Sequence, residues 1–129
     1  MIKPFCAMLL FLSLFAACHA QAPRPSRQVL QTIDVAGTNR EVSLVFVDFP
    51  VGRAEIKHTH PGEYVAYLLE GTLTFELEGS APVILHAGES LAIRAGQVHS
   101  ARNDSGAPAK LLVSFVLEKG RPFMTPVAP

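Results

Sequence analysis

Cysteine is almost absent from this chain of 129 residues: there are two, Cys6 and Cys18, both within the first twenty positions. Tryptophan is missing altogether, and no run of cations occurs. Helical spacing, with apolar residues at intervals of three, four and seven, is missing after Ala20. Each absence excludes something. If the chain is cut after Ala20, both cysteines leave, and with them any disulfide, thiolate ligand or thiol nucleophile. A thiol-free domain also fits an oxidising compartment. Eleven Lys+Arg are balanced by eleven Asp+Glu and no basic stripe forms, so nucleic acid is not an expected partner, because phosphate binding needs clustered cations. Without helical periodicity, bundles and alternating α/β folds drop out.

What is present begins with an export signal. Lys3 is followed by an apolar run from Phe5 to Ala17 and then by the small residues of "ACHA". Charged, apolar and small segments in that order mark a secretory signal peptide. The run is too short for a bilayer, which needs about 20 residues. A buried N-terminal helix is the competing reading. We expect a signal peptide over 1–20 and a periplasmic or secreted protein. "FAAC", ending at Cys18, resembles a bacterial lipobox, so a lipid anchor on Cys18 stays open as a second export route, although Phe15 stands where an aliphatic residue is usual. "QAPRPSRQ" reads as an extended, Pro-rich linker, placed at 21–30. One domain is expected over 31–120, with a Pro-rich tail over 121–129.

Inside that domain the pattern is β. "REVSLVFVDFP" is rich in β-branched and aromatic residues and stops at Pro50. "AEIKHTH" alternates, which predicts Ile56, His58 and His60 on one inward face. "GTLTFELEG" alternates too, with Leu73, Phe75 and Leu77 inward. "YVAYLLE", "APVILHAGE", "SLAIRAGQ", "VHSARN" and "AKLLVSFVLE" read as further short strands separated by Gly-rich turns. Short strands at regular spacing predict an all-β sandwich or barrel. Phe46, Phe75 and Phe115 are expected in its core.

Four histidines follow the signal: His58, His60, His86 and His99. Residues two apart on a strand point the same way, about 6.6–6.8 Å apart. His58 and His60 are therefore expected to converge, a pattern suited to a divalent transition metal. Buried imidazoles without partners would be costly, and a metal or a hydrogen-bond network relieves that cost. His86, before the turn "HAGE", reads as a surface residue, and Glu70, Glu76 and Glu78 as solvated acids.

Two stretches carry a family resemblance. "GRAEIKHTHPGEYVAYLLEG", Gly52 to Gly71, resembles the first cupin motif: Gly, five residues, His-X-His, three or four residues, Glu, six residues, Gly. "GESLAIRAGQVHSARN", Gly88 to Asn103, resembles the second: Gly, five residues, Pro-X-Gly, two residues, His, three residues, Asn. Together the motifs and the strands between them cover most of the chain after the signal. The resemblance implies a double-stranded β-helix (jelly-roll) barrel. It implies metal ligation by His58, His60 and His99, and a strand-supporting role for Asn103. Two positions depart from the pattern. Arg94 replaces the motif proline, in a turn that tolerates it because proline there mainly fixes φ. Tyr64 stands where the metal-binding glutamate belongs, with Glu63 one residue early. Either the turn shifts and Glu63 becomes a fourth ligand, or Glu63 points out, Tyr64 faces the cavity and the site is three-histidine. The register rule favours the second.

The resemblance leaves several functions open. One is a metal-dependent dioxygenase, similar to the quercetin dioxygenase-like cupins, acting on a small oxygen-rich molecule, with Glu63 as base if inward and Tyr64 as cavity wall or hydrogen-bond donor. Another is a metal-dependent isomerase or hydrolase. The third is a non-enzymatic module that binds a small ligand or a metal. Iron, manganese, nickel, zinc and copper all suit imidazole. A homodimer is expected because sheet edges need covering, with "SLVFVDFP" as the contact.

Overall fold

The computed structural model describes residues 24–128; the signal peptide read over 1–20 and the lipidation reading at Cys18 lie outside them. Among the described residues there is no helix. Ten strands form: β1 (Ser26–Asp34), β2 (Arg40–Phe49), β3 (His58–Thr59), β4 (Glu63–Glu70), β5 (Thr72–Leu77), β6 (Val83–His86), β7 (Ser90–Ile93), β8 (His99–Arg102), β9 (Ala109–Glu118) and β10 (Thr125–Pro126). They make two five-stranded antiparallel sheets, ordered β1-β2-β9-β4-β7 and β10-β3-β8-β5-β6.

The alternation of the sequence decides which faces meet. In the first sheet Val45, Val47 and Phe49 of β2, Tyr64, Ala66 and Leu68 of β4, and Leu111, Val113, Phe115 and Leu117 of β9 are buried. In the second, Leu73 and Phe75 of β5 and Leu85 of β6 are buried. Interleaved, they form one core. Each fully buried side chain of this size contributes about 1.5–3 kcal/mol.

Gly71 lets the chain cross from one sheet to the other. Its φ is 82°, and a Cβ there would lie 2.5 Å from the Pro108 carbonyl oxygen. Neither condition suits a residue with a side chain.

Four expectations are corrected. β1 begins at Ser26, inside the segment read as linker: its ladder with β2 runs from Ser26↔Asp48 to Asp34↔Glu41, so backbone pairing outweighs the Pro-rich composition just before it. Phe46 is only half-buried, on the outer face of β2, because its neighbours Val45 and Val47 occupy the inward positions. Ile56 is 62% exposed. Only His58–Thr59 is regular strand there. Ala54 makes an isolated bridge to Arg102 and the chain bends at Lys57, so the parity assumed from Glu55 to His60 is lost. Finally, "SLVFVDFP" lies in β2, whose two edges are already paired with β1 and β9. It offers no free edge, only an outer face that includes Phe46; β1 and β7 are the edges of that sheet.

The tail packs as a strap. β10 pairs with β3, and Phe123 packs edge-on against Phe115 with ring centroids 5.1 Å apart.

Candidate metal centre

β3 and β8 pair with His58 directly opposite His99. Opposed residues of an antiparallel pair bring their Cβ atoms to about 4.5–5.5 Å. His60, two residues on from His58, points the same way. All three rings are buried, with 1%, 4% and 2% exposure for His58, His60 and His99. One nitrogen from each lies within 4.8 Å of the others, and the ring centroids are 4.3–4.9 Å apart.

The other ring nitrogen of each histidine is occupied. Nδ1 of His58 lies 2.8 Å from the Ile56 carbonyl, Nδ1 of His60 2.5 Å from that of Phe123, and Nδ1 of His99 2.9 Å from that of Gln97. A carbonyl only accepts, so each Nδ1 carries the proton and donates it. Each Nε2 then keeps its lone pair for the cavity, the tautomer used by a metal-ligating imidazole. Burial reinforces this. It lowers the pKa of His60 from 6.5 to about 3 and that of His99 from 6.5 to about 4, in each case against the raising effect of the Nδ1 hydrogen bond. Neutral imidazole is the form that binds a metal. The three histidines thus fit a divalent transition ion by position and tautomer, and His60 and His99 by charge as well.

Tyr64 is buried in the cavity wall. Its ring centroid lies 4.8 Å from that of His60 and 5.5 Å from that of His99. Burial pushes its phenol pKa up, with the Glu55 charge adding to the effect, so the hydroxyl keeps its proton. Glu63 is exposed on the opposite face of β4 and is not brought to the cluster. The reading of Glu63 as fourth ligand or base is corrected: pairing starts at Glu63 itself, opposite Val116, so strict alternation already holds there.

Asn103 is buried just beyond β8. Its Nδ2 donates to the carbonyls of Phe49 (3.1 Å) and Ala107 (2.8 Å), and its Oδ1 accepts from the Ser105 amide and hydroxyl. This network anchors the end of the strand that carries His99. Arg94 is exposed, and its carbonyl accepts from the Gln97 amide at 3.1 Å, so the turn forms without proline. His86 is exposed, as are Glu70 and Glu76, which pair with Lys110 (2.9 Å) and Arg102 (2.7 Å).

Sequence reasoning missed two residues. Strict alternation with His58 would put Glu55 on the outward face, yet its side chain is 13% exposed, pairs with Arg27 and stands 3.9 Å from His58 Nε2. Among the described residues it is the one acid lining the central cavity, and Arg27, from the span read as linker, is the one Lys or Arg. The bend at Lys57 that exposes Ile56 also breaks the alternation that had placed Glu55 outward. No local signal marked either residue. The cavity itself measures about 40 Å³, walled by Phe75, Phe115 and Tyr64 among others. That admits an ion and one or two water-sized groups.

The chain matches the family profile described as a Cupin domain over residues 45–115. No curated protein matches it. Among solved structures it is similar to the DMSP lyase DddQ from Ruegeria pomeroyi, at 24% identity and TM-score 0.69 over 82% of this chain and 53% of that one. It is similar to an oxalate oxidase in complex with the substrate analogue glycolate, at 28% identity and TM-score 0.58 over 67% of this chain and 46% of that one. It is also similar to an uncharacterised double-stranded β-helix protein from Klebsiella pneumoniae, at 22% identity and TM-score 0.65 over 84% and 89%. The chain spans about half the length of the first two. With both histidine motifs in place on two antiparallel sheets, it belongs to the cupin superfamily as a small single-domain member.

Proposed function

We propose that this protein is an exported, metal-dependent cupin that holds a small oxygen-rich molecule at a three-histidine centre and acts on it as a dioxygenase. The observation that carries the reading is the set of three Nδ1–H···O=C bonds, which leaves three buried Nε2 lone pairs facing one another. His58, His60 and His99 would hold the ion. With only three protein ligands, such a centre keeps open positions, the mark of a catalytic rather than a closed structural site. A divalent transition ion there supplies Lewis-acid or one-electron chemistry to a ligand in the cavity.

The chain's own residues do the rest. Tyr64, kept protonated by burial, donates a hydrogen bond to a ligand oxygen. Phe75 and Phe115 exclude water. Glu55 replaces Glu63 as the candidate base, because it lines the cavity. A cavity of about 40 Å³ favours a compact substrate over a flavonol. The oxalate oxidase similar to this chain was solved with glycolate, a compact two-carbon acid. Export follows from the order of Lys3, the Phe5–Ala17 run and "ACHA". If the ion binds but no substrate is turned over, the same cavity serves as a small-ligand or metal-binding module.

Metal analysis of protein recovered from the periplasm or medium tests the reading. We expect a chain beginning at Gln21 with about one divalent ion, and loss of that ion in His99→Ala. Metal retained in His99→Ala, at wild-type stoichiometry, overturns the three-histidine centre. Oxygen uptake with glycolate, catechols and β-diketones then separates enzyme from binder.

A further inference from the structure

We propose that Arg27 and Arg53, at the mouth of the barrel, form a subsite for a small carboxylate beside the histidine centre. The proposal deepens the reading above by assigning the substrate class, but its test does not depend on a metal.

A groove adjoins the central cavity. Arg24, Arg27, Arg53 and Glu55 supply its charged groups, three guanidiniums against one carboxylate. Arg27 and Glu55 line both spaces, so the groove and the cavity share a wall. Outside the groove, Arg102 pairs with Glu76 and Asp104, Lys110 with Glu70, and Lys119 with Asp34. Arg53 makes no ion pair among the described residues, and its Nε is, among them, the one buried side-chain polar atom without a hydrogen-bond partner. Buried polar groups are satisfied as a rule, and an orphan calls for an explanation. A guanidinium takes a carboxylate through two parallel N–H···O bonds, which an ammonium does not reproduce.

Arg27 already takes one carboxylate from within the chain. The Glu55 carboxylate lies between the Arg27 guanidinium and His58 Nε2, 3.9 Å from the latter. A ligand carboxylate on Arg53 would compete with Glu55 for Arg27 and bring its remaining oxygens toward the Nε2 atoms. Whatever part of it enters the central cavity, about 40 Å³, is limited to a few atoms. Glu55 is then an internal competitor, and its removal strengthens binding.

The test is calorimetric titration of metal-stripped, dialysed protein with glycolate, its neutral analogue glycolamide, and inorganic phosphate. We expect glycolate to bind about tenfold or more tightly than glycolamide, Arg53→Met and Arg27→Met each to weaken glycolate by a similar factor, and Glu55→Gln to tighten it. The titration is made on metal-free protein and read through the arginine variants, so failure of the metal centre (no ion retained by the wild type) and failure of this subsite (no arginine dependence) give different results. Equal binding of glycolate and glycolamide, no effect of Arg53→Met, or a preference for phosphate overturns the proposal.

Discussion

His60 and His99 are held neutral by burial, and that has a consequence for stability. Their folded pKa values, about 3 and about 4, lie below the ordinary 6.5. As pH falls below 6.5, the unfolded chain takes up protons that the folded one refuses, so stability drops with pH. At 1.36 kcal/mol per unit, each buried histidine costs about 2 kcal/mol by pH 5. We expect the urea midpoint of the metal-free protein to fall clearly between pH 7.5 and pH 5, and the fall to shrink in His60→Gln. A midpoint that does not move over this range would mean the rings accept protons while folded. The pairing of His58 with His60 was legible, since two residues on a strand share a face. The hydrogen bond from His60 to Phe123 was not, because it joins residues 63 apart in the chain through a tail whose sequence shows only prolines and an irregular end.

Strand β4 carries Tyr64, and Gly62 sets its entry. A Cβ on Gly62 would collide with the Val116 carbonyl of β9, part of the backbone that cannot swing away. Gly62→Ala should therefore push β4 off β9 and destabilise the protein by about 1–3 kcal/mol, the usual cost of overpacking. For a domain of this size that lowers Tm by roughly 4–8 °C per kcal/mol. Circular dichroism melting reads the shift; an unchanged Tm would show that β4 enters with slack. The strands themselves were legible wherever alternation is strict, as in β2, β5 and β9. The sequence misled at Glu55 to Lys57, where the chain bends and alternation fails, and at Ser26 to Leu30, where a Pro-rich start hid an edge strand.

The outer face of the first sheet is apolar for a surface. Tyr67 pairs with Leu112, which pairs with Phe46 on its other side. Val65, Tyr67 and Leu69 on β4 are 51%, 45% and 39% exposed. Contiguous apolar surface of this kind marks association sites. We propose that this face joins two copies across a two-fold axis, as isologous dimers do. Light scattering should give twice the chain mass, and Tyr67→Arg should give a monomer that keeps its barrel by circular dichroism. A monomeric wild type at micromolar concentration would remove this interface and leave the barrel to act alone.

Family and site were written in short-range pattern. The His-X-His spacing, the motif glycines, and the alternation of β5 and β9 are local, and a strand's period of two turns such spacing directly into a shared face. Three properties came from elsewhere in the chain: the tautomer of each histidine, the placement of Glu55 and Arg27 at the cavity, and the rejection of Glu63. The tautomers rest on carbonyls, and Phe123, which supplies one of them, is far away in sequence. Glu55 and Arg27 meet because β1 lies beside β2 and the chain bends after Glu55. Glu63 turns outward because it pairs with Val116 of β9. Each depends on which distant backbone lies alongside, and a linear pattern of side chains carries no record of that.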